Sequence, residues 1–134
     1  MLDTLSTIIF SYNVSDPSSF KLHPFTWLET KNIINGIKSK ARGIDEISAQ
    51  HLACLDDEGM QFVTDIFNIS INTSVFPDIS KRTLILPLAK NNKPSSLSDL
   101  RPITLICPAA KVFERLIFNQ LNKYLTNQNL TSSN

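Results

Sequence analysis

The sequence predicts an α+β fold in which helices pack with one two-stranded antiparallel hairpin. Three observations carry that reading. Apolar residues recur at helical spacing in four separate stretches, as they must if each helix turns one face inward. Two short apolar runs with β-branched residues, 83–88 and 101–106, flank a polar loop and suit a pair of strands. Hydrophobic residues at 42% and charged residues at 19% of 134 describe globular sequence with room for one modest core.

The elements follow in order. Residues 1–25 hold Ser15-Asp16-Pro17-Ser18-Ser19 and Pro24, a turn-rich, extended lead-in to which no function is assigned. Thr26 and Glu29 stand at capping-box spacing, and Ile33, Ile34, Ile37 and Ala41 continue one face, so a helix is expected over 27–40. Lys38, Lys40 and Arg42 before Gly43 look like its stop signals, cations at the negative end of the helix dipole and then a glycine. Gly43 and Asp45 form the next turn, glycine by taking a backbone angle other residues avoid. Ser48 caps a short helix that turns Leu52 and Leu55 inward. A longer helix buries Met60, Val63, Ile66, Phe67 and Ile71 and stops at Asn72 and Pro77.

Thr83-Leu84-Ile85-Leu86-Pro87-Leu88 is the first strand, and Pro87 confines it to an edge or a break in the ladder. The polar stretch 91–98 is a hairpin-type loop, and Arg101-Pro102-Ile103-Thr104-Leu105-Ile106 returns beside the first strand. Pro108 suits the first turn of a last helix, where its missing N–H costs nothing. Val112, Phe113, Leu116, Ile117, Leu121, Tyr124 and Leu125 carry that helix to about residue 126, before a polar tail over 127–134.

Net charge is +1, but it is unevenly spread. Ten acidic and five basic side chains stand before residue 81, whereas seven basic and two acidic ones lie from Lys81 to Arg115. A polyanion would meet the second segment. Cys54 and Cys107 stand far apart among apolar neighbours, without metal-ligand spacing, and are expected to be reduced core thiols. Asp56-Asp57 keeps the helical period and is expected to favour a helix start rather than bind metal. His23 and His51 are read as structural or solvated, and Trp27 as a packing residue. No basic residue precedes Ile8-Ile9-Phe10 and no apolar run reaches membrane-spanning length, so an intracellular protein without membrane contact is expected.

Four blocks carry a family resemblance. Lys40-Ala41-Arg42-Gly43-Ile44-Asp45-Glu46-Ile47, with Leu52 beyond, resembles the K-A-P-G-x-D-x-I turn of non-LTR retrotransposon reverse transcriptases. Phe76-Pro77-Asp78 leading into Lys81-Arg82-Thr83-Leu84-Ile85-Leu86-Pro87-Leu88-Ala89-Lys90 looks like that family's first fingers strand. Leu100-Arg101-Pro102-Ile103-Thr104-Leu105 resembles its Y-R-P-I-S-L block, and Lys111-Val112-Phe113-Glu114-Arg115 its K-x-F-E-[KR] helix. Arg42, Ile79, Ala89 and Leu100 depart from the family pattern.

The resemblance implies the fingers and palm edge of an RNA-directed DNA polymerase, an incomplete right-hand fold over 26–126 that stops short of the catalytic aspartates. Lys90 and Arg101 match positions that contact the triphosphate of the incoming nucleotide, and Lys81, Arg82 and Lys93 are candidates for nucleic-acid backbone contacts. Lys111 and Arg115 are read as helix-surface charges. No catalytic residue, metal ligand or bound cofactor is expected here; Mg²⁺ is implied for the complete enzyme. The implied partners are RNA template, DNA primer, dNTP and the remaining palm and thumb, with nuclear or cytoplasmic placement. Because that palm is not in the chain, Phe113, Leu116, Ile117 and Leu121 should form an uncovered stripe. The competing reading is a non-catalytic nucleic-acid-binding or assembly module derived from a retroelement, using the same hairpin.

Overall fold

The computed structural model describes residues 20–128, so the readings of 1–19 and 129–134 lie outside the described residues. Helix α1 spans Trp27–Gly36 and opens with the expected capping box: the Thr26 hydroxyl accepts from the Glu29 N–H at 3.3 Å, and the Glu29 carboxylate accepts from the Thr26 N–H at 2.8 Å. Helix α2 spans Ala49–Ala53 and α3 Asp57–Thr73. Strands β1 (Thr83–Ala89) and β2 (Leu100–Ile106) pair antiparallel, and α4 (Pro108–Asn127) closes the order with Pro108 in its first turn. The described chain is therefore α+β, four helices with a two-stranded antiparallel sheet.

The core lies where α1, α3 and α4 meet, built from Ile34, Met60, Phe67, Val112, Phe113 and Leu116, with Phe25 closing it. Phe113 is the centre of an aromatic cluster: its ring lies 5.2 Å from Phe67, 5.6 Å from Phe76 and 6.1 Å from Phe25, the last edge-on. Such pairs add about 0.5–1.5 kcal/mol each beyond area burial. The expected uncovered stripe on the last helix is corrected here. Phe113 and Leu116 are buried and Ile117 is half-buried, because α3 and the segment around Phe25 already cover that face; Leu121 and Phe118 are exposed.

The end of the lead-in belongs to the fold. Phe25 is held by one side-chain amide: its N–H donates to Asn68 Oδ1 at 2.7 Å and its carbonyl accepts from Asn68 Nδ2 at 3.0 Å. Gln120 of α4 does the same for the backbone of His23, at 2.9 Å both ways. Each amide supplies the two bonds a neighbouring strand would, so an extended segment is fixed between α3 and α4 without a sheet. Deeper in, Thr64 Oγ1 lies 2.9 Å from Thr30 Oγ1 and 2.8 Å from the Met60 carbonyl oxygen. No buried side-chain nitrogen or oxygen among the described residues lacks a hydrogen-bond partner.

Helix α1 stops at Gly36 rather than near residue 40. Ile37 turns extended, at φ −80° and ψ 111°, and packs against the core, so Lys38, Lys40 and Arg42 follow the helix instead of ending it. Beyond the helix Gly43 lies against Cys107, the N-cap of α4: a Cβ there would meet Cys107 Cα at 2.6 Å and its nitrogen at 2.8 Å. Gly43 is thus required for close approach. The left-handed angle of this turn falls on Glu46 at φ 57°, and Asp45 stabilises it by accepting from the Ile47 N–H at 3.2 Å. Helix α3 runs one residue past Asn72 and ends on Ser74, itself left-handed at φ 56°. Cys107 is buried as expected, whereas Cys54, at the end of α2, is exposed.

Candidate nucleic-acid interface

The hairpin is assembled around two prolines. Pro87 stands directly opposite Pro102, with Leu88 opposite Arg101 and Ala89 opposite Leu100. Neither proline has an N–H, so their pair can occupy only a position where ladder bonds are absent. The phase agrees: the Lys90 N–H donates to the Asp99 carbonyl at 2.7 Å, which makes 90 and 99 a bonded pair and, on alternation, 87 and 102 an unbonded one.

That register divides the side chains between two faces. Leu84, Leu86 and Leu88 share one face with Leu105, Ile103 and Arg101, and Lys90 continues it past the end of β1. Lys90 and Arg101 are therefore diagonal neighbours at the loop end, a separation of about 7–8 Å that long side chains span. Arg101 is exposed, and the Lys90 ammonium donates to the Ser98 carbonyl at 2.5 Å. β1 is exposed along its whole length, and Leu84, Leu86, Leu88 and Ile103 stand open on the face that carries Arg101.

The loop between the strands is ordered by one carboxylate. Asp99 accepts from the Ser95 N–H at 2.9 Å and the Ser96 N–H at 3.1 Å, and these bonds hold its pKa below the usual aspartate value. Lys93 lies in this loop, its N–H donating to Asn91 Oδ1 at 3.2 Å. Lys81 and Arg82 stand at the opposite end of β1, roughly 25 Å from Lys90 at about 3.3 Å per strand residue. Five candidate residues thus form two groups, Lys90, Lys93 and Arg101 at the tip and Lys81 and Arg82 at the root. Lys81 is paired with Asp78 at 2.9 Å, and that contact lowers the Asp78 pKa.

The remaining candidates have structural posts. Asp56 caps α3, accepting from the Gly59 N–H at 2.8 Å, and Asp57 pairs with Lys31 at 2.8 Å, so this pair favours a helix start as expected. His51 completes the cap of α2, its Nδ1 accepting from the Ser48 N–H at 3.2 Å. Trp27 is half-buried against the core, under the Lys31 ammonium at 5.4 Å. Among the described residues no three His, Cys, Asp or Glu side chains are grouped as a metal site, and no helix is long and apolar enough to cross a membrane.

An α+β segment with a basic, exposed hairpin finds its relatives among nucleic-acid polymerases. The chain is 33% identical over 105 residues to the RNA-directed DNA polymerase from mobile element jockey of Drosophila melanogaster, covering 77% of this chain and 12% of that protein. It is 31% identical over 112 residues to the probable RNA-directed DNA polymerase from transposon BS (80% and 12%) and 31% over 100 residues to that from transposon X-element (74% and 11%), both of the same fly. No family model matches. The chain belongs to the RNA-directed DNA polymerases of non-LTR retrotransposons, and it spans about 12% of the length of the curated relatives it matches.

Proposed function

We propose that the chain supplies the fingers element of a non-LTR reverse transcriptase, with Arg101 and Lys90 contacting the triphosphate of the incoming nucleotide. The carrying observation is the strand register, which makes these two cations diagonal neighbours on one exposed face at the hairpin tip. Their chemistry divides the work: the planar guanidinium suits two phosphate oxygens at once, and the ammonium is a mobile point charge. Lys93 at the tip and Lys81 and Arg82 at the root contact template and primer backbone, which brings affinity without base readout. The exposed apolar face of the hairpin is covered by the remaining palm and thumb, completing a right-hand polymerase. The catalytic carboxylates and their Mg²⁺ belong to that remainder, since Asp56 is committed to a cap and Asp57 to Lys31.

The test grafts residues 77–106 into a complete related polymerase and compares Arg101→Ala with Arg101→Lys. A charge-assisted bond is worth about 1.5–3 kcal/mol, so Arg101→Ala should raise KM for dNTP about tenfold to a hundredfold with primer–template Kd unchanged. Arg101→Lys should recover part of the loss. Unchanged nucleotide dependence with weakened primer–template binding would instead make the hairpin a nucleic-acid-binding module only.

A further inference from the structure

The three cations that follow α1 are freed by the helix ending early. With α1 stopping at Gly36, Lys38, Lys40 and Arg42 do not lie in its last turn, and the segment that carries them comes near α4 at both ends. At one end Ile37 borders a concavity of about 380 Å³ with Lys111 and Arg115. At the other, Gly43 lies against the Cys107 backbone, one helical turn before Lys111. The segment therefore runs beside the first turns of α4, whose cations, the half-buried Lys111 and the exposed Arg115, are themselves one turn, about 6 Å, apart. Within it Lys38, Lys40 and Arg42 are exposed while Ala41 is half-buried and Gly43 buried, so the charged side chains are turned outward.

Among the described residues no ion pair neutralises this surface. The two ion pairs among the described residues are Lys31 with Asp57 and Lys81 with Asp78, and neither uses any of these five cations. Glu114, the one carboxylate in α4, is exposed and pairs with none of them. The Arg115 guanidinium lies 5.4 Å over the Phe118 ring, which orients it without discharging it.

We infer that Lys38, Lys40, Arg42, Lys111 and Arg115 form a second nucleic-acid contact surface, separate from the hairpin tip, that binds a strand through its phosphates. Five cations in no ion pair among the described residues, set along an open edge, match a polyanion better than a small anion, which would need a closed cluster of donors. A strand held this way runs past the root of the hairpin, because Gly43 meets Cys107 there and the Cys107 thiol in turn lies 3.6 Å from Ser80 Oγ, next to Lys81. The inference rests on family membership and not on the roles of Arg101 and Lys90.

The test measures binding of the whole chain to a labelled single RNA strand, and to the DNA of the same sequence, by anisotropy over a range of salt. Wild type is compared with K38Q/K40Q/R42Q, with K111Q/R115Q, and with the hairpin set K81Q/R82Q/K93Q. Each phosphate contact on a single strand contributes about 0.7 to the slope of log K against log salt. K111Q/R115Q should therefore flatten the slope by about 1.4 and the triple variant by about 2.1, while K38R/K40R/K111R keeps it. Flattening with RNA, DNA or both supports the surface and identifies the strand it takes. Unchanged slopes with both strands, or equal competition by polyglutamate of the same charge, overturn it. A silent hairpin set beside a flattened surface set would sink the hairpin's backbone contacts and leave this inference standing.

Discussion

Substituting Gly43 by alanine tests how the K-A-R-G turn is tied to the root of the hairpin. The added Cβ would sit 2.6 Å from Cys107 Cα and 2.8 Å from its nitrogen, with Asp45 Oδ1 at 3.0 Å. Two of those atoms are backbone at the N-terminus of α4, so no rotamer change relieves the clash, and either the turn or the helix start must move. Overpacking of this kind costs about 1–3 kcal/mol, which in a domain of this size lowers Tm by on the order of 10 °C. Gly36→Ala is the matched control: a Cβ there meets nothing within 4 Å, and alanine is the better helix former by up to about 1 kcal/mol. Thermal melts of the whole chain followed by far-UV circular dichroism should show Gly43→Ala falling and Gly36→Ala level or rising. A Gly43→Ala melt matching wild type would refute the close approach.

Two further outcomes are expected. Thr64→Val keeps the shape but removes the hydroxyl that lies 2.9 Å from Thr30 Oγ1 in the core, and should cost about 1 kcal/mol in denaturant unfolding; an unchanged midpoint would mean that the buried hydroxyl pair contributes nothing net. For Asp99, whose pKa is held down first by the Ser95 N–H and then by the Ser96 N–H, the linked stability is complete above the unfolded aspartate pKa and lost as pH falls through the lower folded value. Amide shifts of Ser95 and Ser96 in an NMR titration should have a midpoint below that of an ordinary aspartate and should flatten in Asp99→Asn; a midpoint at the ordinary value would remove the carboxylate as the organiser of the loop.

Much of the fold was legible because its signals are local. The Thr26–Glu29 box, the Ser48 cap, Pro108 in the first turn of α4 and the two strands all depend on residues a few positions apart, and each formed as expected. Where α1 ends was not legible, since Ile37 leaves the helix and packs against a core built from segments far away in sequence. The same holds for Phe113, covered by rings from three other segments, and for the amides of Asn68 and Gln120, which bind backbone 43 and 97 positions away. For the candidate residues the strand register adds which face each one takes, with Lys90 and Arg101 on the same one. A slip of one residue in strand register would put Arg101 on the opposite face from Lys90, and the Pro87–Pro102 pair rules that slip out only once the partners are known.

The central claim is that Arg101 and Lys90 share one ligand, and a double-mutant cycle in the grafted polymerase measures it. Arg101→Ala, Lys90→Ala and the double variant are compared by kcat/KM for dNTP on a fixed primer–template. Two cations on one triphosphate should couple, the double variant departing from the sum of the singles by about 0.5–3 kcal/mol. Additivity within about 0.3 kcal/mol, with both singles impaired, would mean that the two side chains act on different groups and would contradict the account.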